Sequence, residues 1–181
     1  MELEATRIPD VFLIKPKVFG DARGFFLETW KDTAFAAAGL NVGFVQDNHS
    51  HSMQWILRGL HYQIERTQGK LVRVARGAVF DVAVDMRRAS PTFGKWVGAE
   101  LSESNHHMFW IPPGFAHGFL SLTDDVDFLY KCTDYYAPEH ERVLRWDDPE
   151  VGIEWPLPAG VMPKLSARDA QGSAFRSAVS L

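Results

Sequence analysis

The chain has 181 residues, of which 46% are apolar and 23% charged, with a formal net charge of −4. That balance excludes a disordered chain, and with no apolar run near 18 residues a spanning helix is not expected. The negative sign excludes a global basic field for nucleic acid and leaves only a local group of arginines to hold a small phosphate.

The first residues, Met1-Glu2-Leu3-Glu4-Ala5, carry acid and no apolar segment, so no signal peptide is expected. Gly20-Asp21 and Arg23-Gly24 are turn signals. Residues 29–38, with Ala, Phe and Lys and a stop at Gly39, predict a helix. His49-Ser50-His51 would put two imidazoles on one side of a strand, because residues two apart share a face. Arg58-Gly59-Leu60-His61-Tyr62-Gln63 predicts a strand with a histidine between a cation and an amide. Thr67-Gln68-Gly69 predicts a turn, and a hairpin there would bring Lys70 back beside His61. Residues 71–76 alternate at period two, and 78–85 do so less strictly. Residues 96–101, 108–111 and 126–130 are further strands. Before the last of them, Pro112-Pro113-Gly114 leads into Phe115-Ala116-His117-Gly118-Phe119. Cys132 is the single cysteine, so no intrachain disulfide can form, which fits the cytoplasm. The proline-rich stretch 147–163 opens a C-terminal segment, about 147–181, expected to wrap the rest. Residues 166–172 predict a short helix, with Ser166 as cap and Asp169 at the capping-box position.

Many short strands at regular spacing predict an all-β sandwich or barrel with a few short peripheral helices, in one domain over residues 1–181. Thirteen Phe and six Trp suit its core. A stacking site for a planar ligand is the sharper reading of the same residues.

The histidines invite a metal. Gly43, His49 and His51 match the start of the metal-binding motif of cupin barrels, and Pro112-x-Gly114-x-x-His117 resembles its second half. The motif then requires a glutamate four or five positions after the second histidine, where this chain has Trp55 and Ile56. Without that carboxylate the metal reading fails on spacing. His49 and His51 then read as a polar strand end facing solvent or substrate.

Proton transfer at carbon is the competing chemistry. It needs a base of near-neutral pKa, which imidazole supplies without tuning. It needs a carboxylate to orient that base, a donor or cation at the developing oxyanion, and an acid on the opposite face. His61, Asp169, Lys70 and Tyr130 are the residue types required. Taken singly, each such residue more often serves the core or the surface, and the pattern alone does not place them together.

Eight ordered segments carry more specific information: DARGFFLETW, QDNHSHS, LRGLHYQ, GKLVRVARGAVFDVAVDMRRASPTFGKW, IPPGFAHGF, YKCTDYYAPEHE, DDPEVGIEWP and LSARD. From about Val11 to Asp169 the chain resembles the dTDP-4-dehydrorhamnose 3,5-epimerases. That resemblance implies a cupin-type β-sandwich or jelly-roll barrel. It also implies His61 as general base, Asp169 as its partner, Tyr130 as acid and Lys70 at the enolate. Arg23 would reach the diphosphate in a neighbouring subunit's site, and Glu28 would bond the pyrimidine edge. Gln46, Asp47 and Asn48 would line the nucleotide or sugar. Arg58, His117, Glu141 and Arg168 would complete the substrate contacts. The resemblance implies a dTDP-4-keto-6-deoxy sugar as substrate, a homodimer, and neither a metal nor an organic cofactor. A relative inverting only C3 or only C5, a non-catalytic nucleotide-sugar-binding cupin and a metal-dependent cupin oxygenase are the alternatives.

Overall fold

The computed structural model describes residues 1–181. Two antiparallel sheets face each other. The first has six strands in the order β1 (Glu2–Ala5), β2 (Phe12–Lys15), β10 (Met108–Ile111), β7 (Lys70–Arg76), β12 (Val126–Cys132) and β5 (Gln46–Ser52). The second has five, in the order β13 (Glu141–Val143), β6 (Leu57–Gln63), β11 (Phe115–Ser121), β8 (Ala78–Asp85) and β9 (Trp96–Ser102). A separate hairpin, β3 (Val18–Asp21) with β4 (Gly24–Leu27), projects from the sandwich. This is the cupin-type β-sandwich.

Strand alternation decides which side chains enter the space between the sheets. From β7, Val72 and Val74 turn inward, as do Val79 and Ala83 from β8, Phe109 and Ile111 from β10, and Val126 and Phe128 from β12. These residues form the main core. The opposite faces bury against peripheral segments. Leu71, Met108 and Trp110 meet Phe35 and Leu40 outside the first sheet. Outside the second, Leu60, Val82 and Val84 meet Leu144 and Val151, with Trp155 and Phe175 alongside. The C-terminal segment therefore runs across the outside of the second sheet. It is pinned by the Ile56–Lys164 and Leu144–Ser173 bridges and by backbone bonds joining Leu181 to Met86 and Arg88.

β6 carries one extra residue against β11. His61 pairs with His117 and Arg58 with Phe119, so two residues on β6, Gly59 and Leu60, stand against one on β11, Gly118. Such a bulge re-aims side chains. Arg58 and His61, three apart on a strand, would otherwise point to opposite faces. Two glycines permit it. A Cβ on Gly59 would lie 2.6 Å from the Gly118 Cα, and one on Gly118 would lie 2.6 Å from the Arg58 carbonyl oxygen. Gly59 also takes φ +120°, which favours glycine.

Three sequence expectations change. Residues 64–69 cross from the second sheet to the first instead of closing a hairpin, so Lys70 and His61 face each other across the interior. Helix α1 is shorter than expected, Asp32–Ala37, because Lys31 is extended and Trp30 packs on Phe35 and Phe44. The expected helix at 166–172 is a 3-10 turn, Asp169–Gln171; Ser166 Oγ does accept the Asp169 N–H at 3.1 Å.

Candidate active site

One end of the sandwich interior is open as a cavity of about 330 Å³. β5 and β12 form one wall. Because β5 alternates, Gln46, Asn48 and Ser50 line it from one strand; their neighbours across the ladder on β12 are Cys132, Tyr130 and Phe128. Lys70 enters at the start of β7, in phase with Val72 and Val74. β6 contributes Arg58 and His61, β11 contributes His117, and β13 contributes Glu141.

His61 sits between two carboxylates. Its Nε2 lies 2.6 Å from Asp169 Oδ1, delivered by the 3-10 turn, and its Nδ1 lies 3.9 Å from Glu141 Oε1. Burial pushes the Asp169 carboxyl up, but the hydrogen bond and charge of His61, with Ser166 and the Gly59 backbone, hold it below the usual range. Glu141 is held in turn: Tyr136 donates to Oε2 at 2.7 Å and Arg168 forms an ion pair with it.

Lys70 is only 7% exposed and no side chain of the chain bonds its ammonium. Burial draws its pKa below the ordinary lysine value, against the pull of Cys132, Glu141 and Asp81. Tyr130 is pushed the other way, upward, by burial and by Cys132 and Glu141, with Arg58 opposing. It is a neutral phenol at physiological pH. Beneath them His117 Nε2 meets both oxygens of Asp81, at 2.9 and 3.0 Å. Asp81 is 0% exposed, and burial raises its pKa despite His117 and Lys70.

The cavity therefore gathers Lys70, His61, Tyr130, Gln46, Asn48, Arg58, His117 and Glu141, with Asp169 and Arg168 bonded to its walls. Three expected site residues lie elsewhere. Asp47 alternates to the outer face of β5, where Lys131 Nζ donates to it at 2.7 Å. Arg23 is 89% exposed at the tip of the β3–β4 hairpin, paired with Asp21. Glu28 is exposed just beyond β4, 3.8 Å from Lys31. The sequence reading missed Asp81, Cys132, Gln63 and Gln68 as cavity neighbours. Asp81 had a signal, since a carboxylate stands in phase with Val79 and Ala83.

The metal donors are also separated. His49 and His51 alternate to the outer face, where both bond Asp127, while His117 points into the cavity. No group of three or more His, Cys, Asp or Glu side chains is disposed to hold a metal ion. No helix is long and apolar enough to cross a membrane.

A carboxylate-held imidazole, a neutral phenol and a buried amine around one cavity of a cupin-type barrel define an acid–base enzyme acting on a small organic substrate. The comparisons with known proteins narrow this. The profile of the family described as dTDP-4-dehydrorhamnose 3,5-epimerase matches residues 5–177. A dTDP-4-dehydrorhamnose 3,5-epimerase of Pseudomonas aeruginosa is 59% identical over 97% of this chain and 98% of its own length. A crystal structure of dTDP-6-deoxy-D-glucose-3,5-epimerase from Legionella pneumophila, in complex with dTDP-4-keto-L-rhamnose, matches with TM-score 0.93 and 49% identity over 97% of this chain and 93% of that one. A 3′-monoepimerase from Streptomyces bikiniensis, in complex with dTDP-quinovose, matches with TM-score 0.88 and 34% identity over 95% and 87%. The chain belongs to the dTDP-4-dehydrorhamnose 3,5-epimerase family and is an isomerase.

Proposed function

We propose that the chain inverts C3 and C5 of dTDP-4-dehydro-6-deoxy-D-glucose to give dTDP-4-dehydro-L-rhamnose, through His61 as base and Tyr130 as acid. The observation that carries this reading is the Asp169–His61 contact facing Tyr130 and Lys70 in one cavity. Asp169 accepts a hydrogen bond from the Nε2–H, which leaves the lone pair on Nδ1 and fixes the tautomer. Nδ1 removes the proton from C5 or C3. The C–H electron pair moves into the C4 carbonyl, and the Lys70 ammonium meets the enolate oxygen. Tyr130 then gives its phenolic proton to the opposite face, and exchange with solvent resets both groups. The ketone acidifies both C3 and C5, so one base–acid pair serves both once the ring adjusts. Arg58, His117, Glu141, Arg168, Gln46 and Asn48 hold the nucleotide sugar. No metal or organic cofactor enters the chemistry.

The active species in this reading is a cytoplasmic homodimer of single-domain subunits. The projecting hairpin supports it: Phe25 and Phe26 are 62% and 65% exposed, too apolar for a free surface. In this reading Arg23 at its tip, with Glu28 behind, reaches a neighbouring subunit's cavity and contacts the diphosphate and the pyrimidine. Proton NMR of the sugar nucleotide in deuterated water tests the function. Exchange with inversion at both C3 and C5 is expected. Exchange at one centre would make the chain a monoepimerase, and none at either would remove the epimerase reading.

A further inference from the structure

Ser50 Oγ is the one side-chain nitrogen or oxygen in the chain that is wholly screened from solvent and has no hydrogen-bond partner. Buried polar atoms are nearly always satisfied, and an orphan destabilises the fold. Ser50 lies on the cavity wall, on the inward face of β5 with Gln46 and Asn48. Its cross-strand neighbour is Phe128, which offers no acceptor. The hydroxyl is screened from solvent in the free cavity, so no contact with bulk water replaces the missing partner. Ser50 nevertheless lines the cavity, and its hydroxyl has other staggered rotamers to adopt.

The neighbouring charge indicates what it meets there. Arg58 is anchored at this end of the wall: its Nε donates to Ser52 Oγ at 3.0 Å and its Nη2 to the His51 carbonyl at 2.9 Å. Ser52 is two residues from Ser50 on the same strand face, a separation of about 7 Å. The third guanidinium nitrogen, Nη1, makes no hydrogen bond within the chain and stays available. A fixed cation with a free N–H beside an unsatisfied hydroxyl is a donor pair suited to an acceptor-only anion. The buried amine is set apart from it: Lys70 stands opposite Cys132, two β12 residues beyond Tyr130 and four beyond Phe128.

We infer that Ser50 is a substrate-binding residue whose hydroxyl turns on ligand binding to donate to a phosphate oxygen of the nucleoside diphosphate, beside Arg58. The inference rests on the nucleotide-sugar reading of the same cavity. The unmet hydroxyl destabilises the free site, and the ligand oxygen relieves it. Part of the binding selectivity for a phosphorylated ligand thus lies in the cavity wall itself.

The test is Ser50→Ala, with dTDP as probe in calorimetric titration, sugar-nucleotide kinetics, and thermal melting of the ligand-free protein. Removing an orphan leaves the ligand-free melting temperature unchanged or higher. The dTDP Kd should rise about tenfold, the value of a hydrogen bond to a charged group, and KM should rise with it more than kcat falls. Ser50→Thr, which keeps the hydroxyl, should recover part of the affinity. An unchanged dTDP Kd with a raised KM would move Ser50 to the sugar and overturn the phosphate assignment. Unchanged Kd and KM, or a melting temperature lowered as for a satisfied hydroxyl, would overturn the inference outright. Failure of the wild-type protein to bind dTDP would overturn instead the nucleotide-sugar reading beneath it.

Discussion

His61 and His117 are direct partners across β6 and β11, and each is held at Nε2 by a different buried carboxylate, Asp169 and Asp81. The two pairs differ in what lies around them. Asp169 is drawn below the usual carboxylate range by its bonds, whereas burial drives Asp81 above it. His61 also has Glu141 near its second nitrogen, and its side chain is a third exposed in the cavity, while His117 is nearly enclosed. The more open histidine is the one suited to meet a carbon-bound proton.

His61→Asn should therefore lower kcat by about 10²–10⁴-fold, the usual cost of losing a general base. The dTDP affinity and the melting temperature should stay near wild type, because the amide keeps a donor for Asp169. Steady-state kinetics with a parallel dTDP titration checks both. Turnover close to the wild-type rate would remove His61 from the role of base.

Acid stability should depend on Asp85. This carboxylate is fully buried and accepts from Arg87, Ser90 and Thr92 at 2.6–3.0 Å. Burial alone would raise its pKa, but these donors win and hold it at about 2. The unfolded value is roughly 3.9. The folded pKa is thus depressed, so the stabilisation is present above about pH 4 and is lost as pH falls through about 2. It amounts to about 2.5 kcal/mol. Urea unfolding of Asp85→Asn should show that loss at neutral pH and a weaker fall between pH 5 and pH 2. Equal acid sensitivity in the two proteins would place the acid-labile contact elsewhere.

How far the sequence carried these positions follows from the strand geometry. β7 and β8 were readable because their inward residues are apolar at period two; Lys70, in phase with Val72 and Val74, was instead assigned to a hairpin. Asp47 was grouped with Gln46 and Asn48 although alternation turns it to the other face. Arg58 and His61 share the cavity only through the bulge at Gly59, which no periodicity announces. Lys70 reaches His61 across two sheets, and no local pattern distinguishes that crossover from a hairpin. The β3–β4 hairpin left no strand signal because its residues are exposed on both faces and so do not alternate.

Arg23 should act in a partner's cavity. It bonds only Asp21 within its own chain and stands at the tip of an exposed apolar hairpin. Arg23→Ala and His61→Asn should each be nearly inactive alone. Mixed and allowed to exchange subunits, they should regain activity, because each hybrid dimer holds one cavity with both residues intact. No recovery after exchange has been verified by mass would assign Arg23 to its own subunit.

Tyr130→Phe should separate proton removal from inversion. The ring lies on the inner face of β12, beside Phe128 at 5.9 Å between centroids, and deleting the hydroxyl leaves that packing in place. Tyr130 makes no hydrogen bond through its hydroxyl within the chain, so no protein partner is orphaned. Its pKa is raised chiefly by burial, which keeps the proton on the phenol until a carbanion-like centre comes within reach. His61 and Lys70 remain in the variant and can still form the enolate, after which His61 returns a solvent-derived deuteron to the original face. The NMR spectrum in deuterated water should then show exchange at C5 or C3 with little inverted sugar. Structural damage would depress exchange and inversion together, so the two readings separate in one experiment. Inversion at the wild-type rate would require another donor on that face. Tyr136, whose hydroxyl is bound to Glu141 at the same cavity, is the residue to replace next.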